Sequence, residues 1–310
     1  MDLPDAIRRF RDLADDWDAF VAALQRPVPT DLRFNPLATD RPRFEEALAS
    51  EGLRWERMPA SPDLYRVRGM DAPGLTWMYH MGWYHPQGYT STLPPVVLEP
   101  SPGSTVLDLC AAPGGKTSQL AAIMGGEGIV VANDVRIDRI AGLTANLERL
   151  AVPNALITTY PGQNYPERFG FDHVLADVPC TAEGTYRMED GTYRPDPHGS
   201  PEAAGRALQP VQVRLLDKAL RVVRPGGSVL YSTCTYAPEQ DEVVVAEVLE
   251  ALPGSMEVEI ESLPDAVGGT PGLRGWKGRE LPAALQRTRR LWPHHTDSWG
   301  FYLALLRRRR

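Results

Sequence analysis

Between residues 104 and 250 the chain alternates short apolar runs with amphipathic stretches. "STVLDLC", "GIVVAND", "NALITTY", "FDHVLADVPC" and "GGSVLYSTC" are the apolar runs. Between them lie "KTSQLAAIM", "RIDRIAGLTANLERL" and a segment around 210–223, and "PEQDEVVVAEVLEAL" follows the last. Near-continuous apolar strands alternating with helices predict a parallel sheet covered on both faces. "MEVEIESL" and "GFYLALLR" are the late strands that complete it. The expected fold class is therefore α/β, a doubly wound and mainly parallel sheet of the nucleotide-binding kind.

The pattern before residue 104 is different. Phe10, Leu13, Trp17, Phe20, Val21 and Leu24 recur at steps of three or four, which predicts one amphipathic helix over 4–24. "RPVPTDLRFNPLATDRP" reads as a run of breakers. "DRPRFEEALASEG" predicts a short helix capped by Asp40, with Pro42 in its first turn and Gly52 as its stop. "LRWERM" and "LYRVRG" alternate like half-buried strands. Residues 1–80 are thus expected to form a small α/β extension. Residues 81–103 form a Pro/Gly-rich connector with a helix around 91–98, and residues 104–310 the main domain.

Composition narrows the class. With 310 residues and 43% hydrophobic content, the chain buries a sizeable core. A net charge of −7 argues mildly against a basic surface. Nucleic acid is not excluded, since a local patch suffices for phosphate contacts. "RTRR" at 287–290 and "RRRR" at 307–310 are such patches, although a terminal arginine run is more simply a solvated tail. No apolar stretch approaches the ~18 residues of a membrane helix, and the N-terminus lacks a signal-peptide core. A cytoplasmic protein is expected. The three cysteines, Cys110, Cys180 and Cys234, are too far apart for metal knuckles, so no metal is expected. Their odd number fits a reducing compartment.

Ligands of such sheets bind beyond the carboxyl ends of the strands. The first strand runs into "DLCAAPGGKT", where Gly114 and Gly115 let a ligand approach the backbone. The second ends at Asp134, placed to accept hydrogen bonds from a ribose diol. A polyphosphate loop would need glycine where Cys110 stands, and no GxGxxG occurs. A nucleoside without polyphosphate, S-adenosylmethionine, is the expected cofactor.

"ADVPC" and "STC" end two strands that, as neighbours, would lie about 4.8 Å apart. Cys180, Cys234 and Asp177 would then face the cofactor crevice. Two thiols beside a methyl donor fit one chemistry. Carbon 5 of a pyrimidine is a poor nucleophile, and a thiolate added at carbon 6 makes it enamine-like, able to take a methyl group. A protonated Asp177 is the candidate partner for ring nitrogen 3, and Lys116 or the following helix start for activating the thiol. Cys110 is read as a core residue whose backbone touches the cofactor.

"VLDLCAAPGGKTSQLA", "AND", "DHVLADVPCTAEGTYR" and "YSTCTYAPEQDEVVV" resemble the successive motifs of RNA 5-methylcytosine methyltransferases of the Sun/Fmu type. The likeness covers most of 85–250 and resumes at "PHHTDSWGFYLALLRR", while "TDLRFNPL" resembles the family's RNA-binding extension. The resemblance implies a class I methyltransferase fold, an RNA substrate (ribosomal first, transfer RNA second) and a monomer. It implies Cys234 as nucleophile, Cys180 in product release and Asp177 at the cytosine edge. Cofactor contacts would come from Cys110, Ala111, Ala112, Pro113, Gly114, Gly115 and Lys116, with Asp134 on the ribose and Arg139 and Asp177 nearby.

Three departures stand out. Pro161 occupies the place of an expected adenine-contacting acid, leaving Gln163 or Asn164 to supply an amide. "PCTAEG" replaces the more frequent "PCSGEG". No added RNA-binding domain is seen, so RNA contacts fall to residues 1–100, Arg187, Arg194 and the basic segment 274–290. Besides a methyltransferase acting on protein or a small molecule, which gives no reason for two cysteines, two rival functions remain at this level. One is a DNA cytosine methyltransferase with Cys180 as nucleophile, which leaves "STCT" without a role. The other is a catalytically silent RNA-binding assembly factor, against which the intact cysteine motifs argue.

Overall fold

The computed structural model describes residues 3–189, 192–193 and 201–310, and only the backbone of 188–189, 192–193 and 201–202. The first apolar stripe is not one helix. α1 (Asp5–Arg8) and α2 (Trp17–Leu24) are separated by turns. Asp16 accepts a hydrogen bond from the Ala19 amide and so starts a new helix instead of continuing the old one. The stripe is still shared, because Ile7, Phe10, Phe20 and Leu24 pack together on Tyr186, Tyr236 and Trp292.

The stretch read as breakers holds β1 (Thr30–Phe34). Its polar residues Asp31 and Arg33 are buried, so the alternation of polar and apolar did not report the burial. α3 (Arg41–Ser50) starts at Asp40, which accepts from the Arg43 amide as expected. β2 (Arg54–Met58), β3 (Ser61–Arg68), α4 (Trp77–His80) and β4 (Tyr84–Pro86) follow. The four strands form an antiparallel sheet in the order β2-β3-β1-β4. One face buries Leu32, Phe34, Tyr65 and Tyr84 against Phe44 and Leu48 of α3.

α5 (Tyr89–Leu98) leads into the main sheet. Its first half is β5 (Thr105–Asp108), α6 (Gly115–Ile123), β6 (Ile129–Asn133), α7 (Ile137–Arg149), β7 (Ala155–Thr158) and β8 (Phe171–Asp177). A ribbon of β9 (Met188–Glu189) and β10 (Thr192–Tyr193) intervenes. Then come α8 (Pro201–Val222), β11 (Val223–Thr233), α9 (Glu242–Ala251) and β12 (Val258–Glu261). β13 (Thr270–Pro271), a hairpin of β14 (Gly275–Trp276) and β15 (Arg279–Glu280), β16 (Arg289–Leu291), α10 (Pro293–Thr296) and β17 (Phe301–Arg308) complete the chain. The sheet runs β13-β16-β17-β11-β8-β5-β6-β7, with β12 beside β17. β11, β8, β5, β6 and β7 are parallel, and β17 is antiparallel to β11. Strand order reverses between β5 and β8, which makes their carboxyl ends the switch point where ligands bind.

Alternate residues feed two cores. Val174, Ala176, Val229 and Tyr231 pack on Leu216, Leu220 and Val244 from α8 and α9. Leu175 and Leu230 face the other way, onto Leu93, Leu120 and Met124 from α5 and α6. Burial on both faces is why these strands are apolar throughout. Truncating one such leucine to alanine costs about 2–5 kcal/mol.

The terminal arginines are not a solvated tail. Arg307 and Arg309 pair with Glu261 and Glu259 at 2.9 Å, and Arg308 donates to the Leu220, Arg221 and Val223 carbonyls. They close the end of the sheet.

Candidate active site

The turn after β5 is built around Asp134. The Ala112 amide donates to Asp134 Oδ2 at 3.1 Å, and the Arg136 amide to Oδ1 at 2.9 Å. Arg139 lies 3.5 Å from Asp134 and also donates to the Ala112 carbonyl. Residues 110–115, Asp134 and Arg139 are thus one unit. A carboxylate offers about four lone-pair sites, so Asp134 keeps capacity for a diol. Gly115 packs closely under His85, since a Cβ there would lie 3.0 Å from His85 Nε2.

Two cavities meet here. One, of about 260 Å³, is lined by Asp134, Val135, Arg139, Gln163, Pro179 and Cys180. The other, of about 340 Å³, is lined by His85, Gln87, Ala111, Lys116, Trp299 and Phe301 among others. Cys110, Ala112, Asp177 and Cys234 line both. Gln163 faces the cavity that holds Asp134, whereas Pro161 and Asn164 are exposed on the surface.

β8 and β11 are neighbours, with Asp177 opposite Ser232. Their extensions bring Cys180 Sγ to 3.2 Å from Cys234 Sγ. The Cys234 amide also points at Cys180 Sγ, at 3.3 Å. The hydrogen bond to Cys234 and burial push the Cys180 thiol well above its ordinary value. The two sulfurs are thus within hydrogen-bond reach of each other, and Cys180 Sγ also accepts from the Cys234 amide. Burial and the carboxylates of Asp108, Asp134 and Asp177 push the Cys110 thiol up as well, and Cys110 packs against the core while lining both cavities.

Lys116 Nζ is 2.8 Å from Asp177 Oδ2. Burial opposes its charge, but Asp177 and Cys234 outweigh burial and hold the ammonium above its ordinary value. Ser232 donates to the other Asp177 oxygen at 2.7 Å. Asp177 thus has a hydrogen-bonding neighbour on each oxygen, Lys116 on one and Ser232 on the other.

Sequence reasoning missed Asp108. It is buried, accepts from Thr117 at 2.7 Å and has its second oxygen unpartnered. Burial raises its pKa to about 7. Also missed was the support under the two cysteines. Thr181 and Thr235, each following a cysteine, both donate to the same oxygen of the fully buried Glu183. The Gly184 amide donates to the Cys234 carbonyl at 2.9 Å, and a Cβ at Gly184 would sit 2.7 Å from that oxygen. The matching threonines of "PCT" and "TCT" were the available signal.

The arginines proposed for RNA fare differently. Arg187 is buried under Trp299, 5.3 Å from its ring, and donates to the Tyr186 and Ser298 carbonyls, which leaves it no phosphate to reach. Arg194 lies outside the described residues. In the 274–290 segment, Arg279 pairs with Glu250, Arg287 with Glu259 and the buried Arg290 with Glu242, so much of its charge is spent internally.

Comparison with known proteins identifies the family. The family model described as 16S rRNA methyltransferase RsmB/F matches residues 95–307. A tRNA (cytosine(49)-C(5))-methyltransferase of Pyrococcus abyssi is 32% identical, over 96% of this chain and 93% of that protein. Ribosomal RNA small subunit methyltransferase F of Shewanella loihica is 31% identical, over 96% of this chain but 60% of that protein. The human 28S rRNA (cytosine(4447)-C(5))-methyltransferase is 30% identical, over 92% of this chain and 35% of its own length. Among solved structures, a methyltransferase homolog protein from Pyrococcus horikoshii superposes with a TM-score of 0.82 at 29% identity, over 99% of this chain and all of that one.

Proposed function

Because this chain belongs to the 16S rRNA methyltransferase RsmB/F family, we propose that it forms 5-methylcytosine in RNA, with Cys234 bonding the target ring and Cys180 assisting its release. S-adenosylmethionine is the cofactor, and when bound it supplies an electrophilic methyl group. The residues present fit it. Asp134 suits the ribose diol and Gln163 offers an amide to the adenine from one cavity, and the unpartnered oxygen of Asp108, which lines the other, suits the methionine ammonium.

The observation that carries the roles is the shared wall. Cys234 and Asp177 face both cavities, so they can meet a cytosine brought beside a cofactor held by the 110–116 turn, Asp108 and Asp134. The Cys234 sulfur adds to carbon 6, and negative charge builds on the ring. Lys116, kept as an ammonium, donates to that charge, while Asp177 accepts from the exocyclic amine. Carbon 5 is then nucleophilic. After it is methylated, a base takes the carbon 5 proton, the electron pair of that bond re-forms the 5,6 double bond, and the carbon–sulfur pair leaves on the Cys234 sulfur as a thiolate, with Cys180 within reach of it.

Reaching the ring requires flipping the base from its stack, at a cost of a few kcal/mol. Ribosomal RNA is the first choice of substrate. Transfer RNA is the second reading, favoured by the length match to the archaeal tRNA enzyme. A DNA enzyme using Cys180 is disfavoured by the thiol's raised pKa, and a silent assembly factor by the complete site. Bisulfite sequencing of total RNA with and without the protein tests the proposal. A cytidine protected only when the protein is present is expected, and no protein-dependent site would refute it.

A further inference from the structure

We propose that Asp15, His294 and His295 form a Zn²⁺ site that clasps the N-terminal helices onto the main domain, with water as the fourth ligand. The cysteine spacing excludes metal knuckles, and this site uses no cysteine. It stands apart from the reaction proposed above.

The three residues come from distant stretches of the chain. Asp15 lies in the turn between α1 and α2, and both histidines lie on α10. His294 Nε2 and His295 Nε2 are each 2.9 Å from a different Asp15 oxygen. One ligand atom from each residue falls within 4.8 Å of the other two. Consecutive residues of a helix do not face each other, yet these two rings converge, with centroids 4.2 Å apart. Ligand atoms about 2.0–2.1 Å from a tetrahedral Zn²⁺ lie about 3.3 Å from one another. Opening each contact by a few tenths of an ångström therefore makes room for the ion. The Asp15 side chain is 45% exposed and that of His295 29%, so the ion can enter and a water can reach it.

The charge states suit a cation. Burial holds the His294 imidazole below its ordinary value, so it is neutral with a lone pair to give. Burial opposes the charge of Asp15, but the hydrogen bonds and charges of His294 and His295 outweigh it and hold the carboxyl below its ordinary value. Asp16 brings a second negative charge close to His294. Two imidazoles and a carboxylate are a donor set that Zn²⁺ takes. None of the three residues lines either active-site cavity, so the ion's role is structural. His294 packs on Phe20 of α2 and on Trp292. Phe20 in turn meets Tyr236, in the loop that carries Cys234. The clasp thus fixes the helices that pack under the nucleophile's loop.

Chelator-treated full-length chain is titrated with Zn²⁺ in competition with a chromophoric chelator, and thermal unfolding is followed with and without the ion. Asp15→Asn keeps a hydrogen-bond acceptor and loses the charge, and His295→Gln keeps an amide donor. Cys180→Ser controls for binding at the thiol pair. One equivalent of Zn²⁺ is expected that Cys180→Ser retains and that each of the other two variants binds at least tenfold more weakly. Zn²⁺ raises the Tm of the wild type and not that of Asp15→Asn. Cobalt in the wild-type chain gives a reading that needs no variant, since this site produces visible d–d bands without a thiolate charge-transfer band. No Zn²⁺ binding, equal affinity in Asp15→Asn and the wild type, or binding that is lost in Cys180→Ser and shows the thiolate band in cobalt overturns the proposal. The first of these would leave the cluster a hydrogen-bonded clasp.

Discussion

Cys180 Sγ and Cys234 Sγ lie 3.2 Å apart at the ends of adjacent parallel strands, both as free thiols. Such proximity favours a disulfide as soon as an oxidant takes two electrons from the pair. Diamide is expected to join them and abolish methyl transfer, with full recovery in dithiothreitol. Peptide mass spectrometry under non-reducing conditions reads the cross-link. Inactivation without that cross-link would point to another target.

Glu183 ties the two cysteine loops together through the Thr181 and Thr235 hydroxyls. Thr235→Val cuts one tether and is expected to cost about 1–3 kcal/mol of stability. Because the loop carries Cys234, kcat should fall at least tenfold while KM for RNA changes little. Urea unfolding and steady-state kinetics test this together. An unchanged kcat in a destabilised protein would mean that the tether serves folding alone.

The fold was legible because its strands are buried on both faces. Val174, Leu175 and Ala176 are all apolar, so no choice of face was needed to see a strand. Cys180 and Cys234 were legible for a related reason, as the first reactive residues beyond two such runs. Residues whose burial depends on a tertiary partner were not. β1 hides Asp31 beneath Arg66 and Arg33 beside Ser118, so a real strand looked like a polar loop. The same blindness covers Glu183, whose two threonines come from different loops, and Arg307 and Arg309, whose acids lie on β12.

Asp108 makes stability depend on pH. The folded chain holds its proton up to about pH 7, whereas the unfolded chain releases it near 3.8. The folded state binds more protons across that window, so its stability falls as pH rises through it. The contribution is on the order of 4 kcal/mol. Asp108→Asn should be comparable to the wild type near pH 4 and gain on it up to about pH 7. Urea midpoints across that range decide it, and parallel curves would refute the burial argument.

Asp134 holds the turn and the proposed ribose contact through the same carboxylate. Asp134→Ala is expected to weaken S-adenosylmethionine binding at least tenfold, measured by calorimetry. RNA affinity should change little, since Asp134 is held within the 110–116 turn.

The most direct test is adduct trapping on RNA carrying 5-azacytidine, followed on denaturing gels, with Cys234→Ser and Cys180→Ser compared separately. Cys180→Ser is expected to keep the covalent band and accumulate it, while Cys234→Ser shows none. A band that survives in Cys234→Ser and vanishes in Cys180→Ser would contradict Cys234 as the nucleophile.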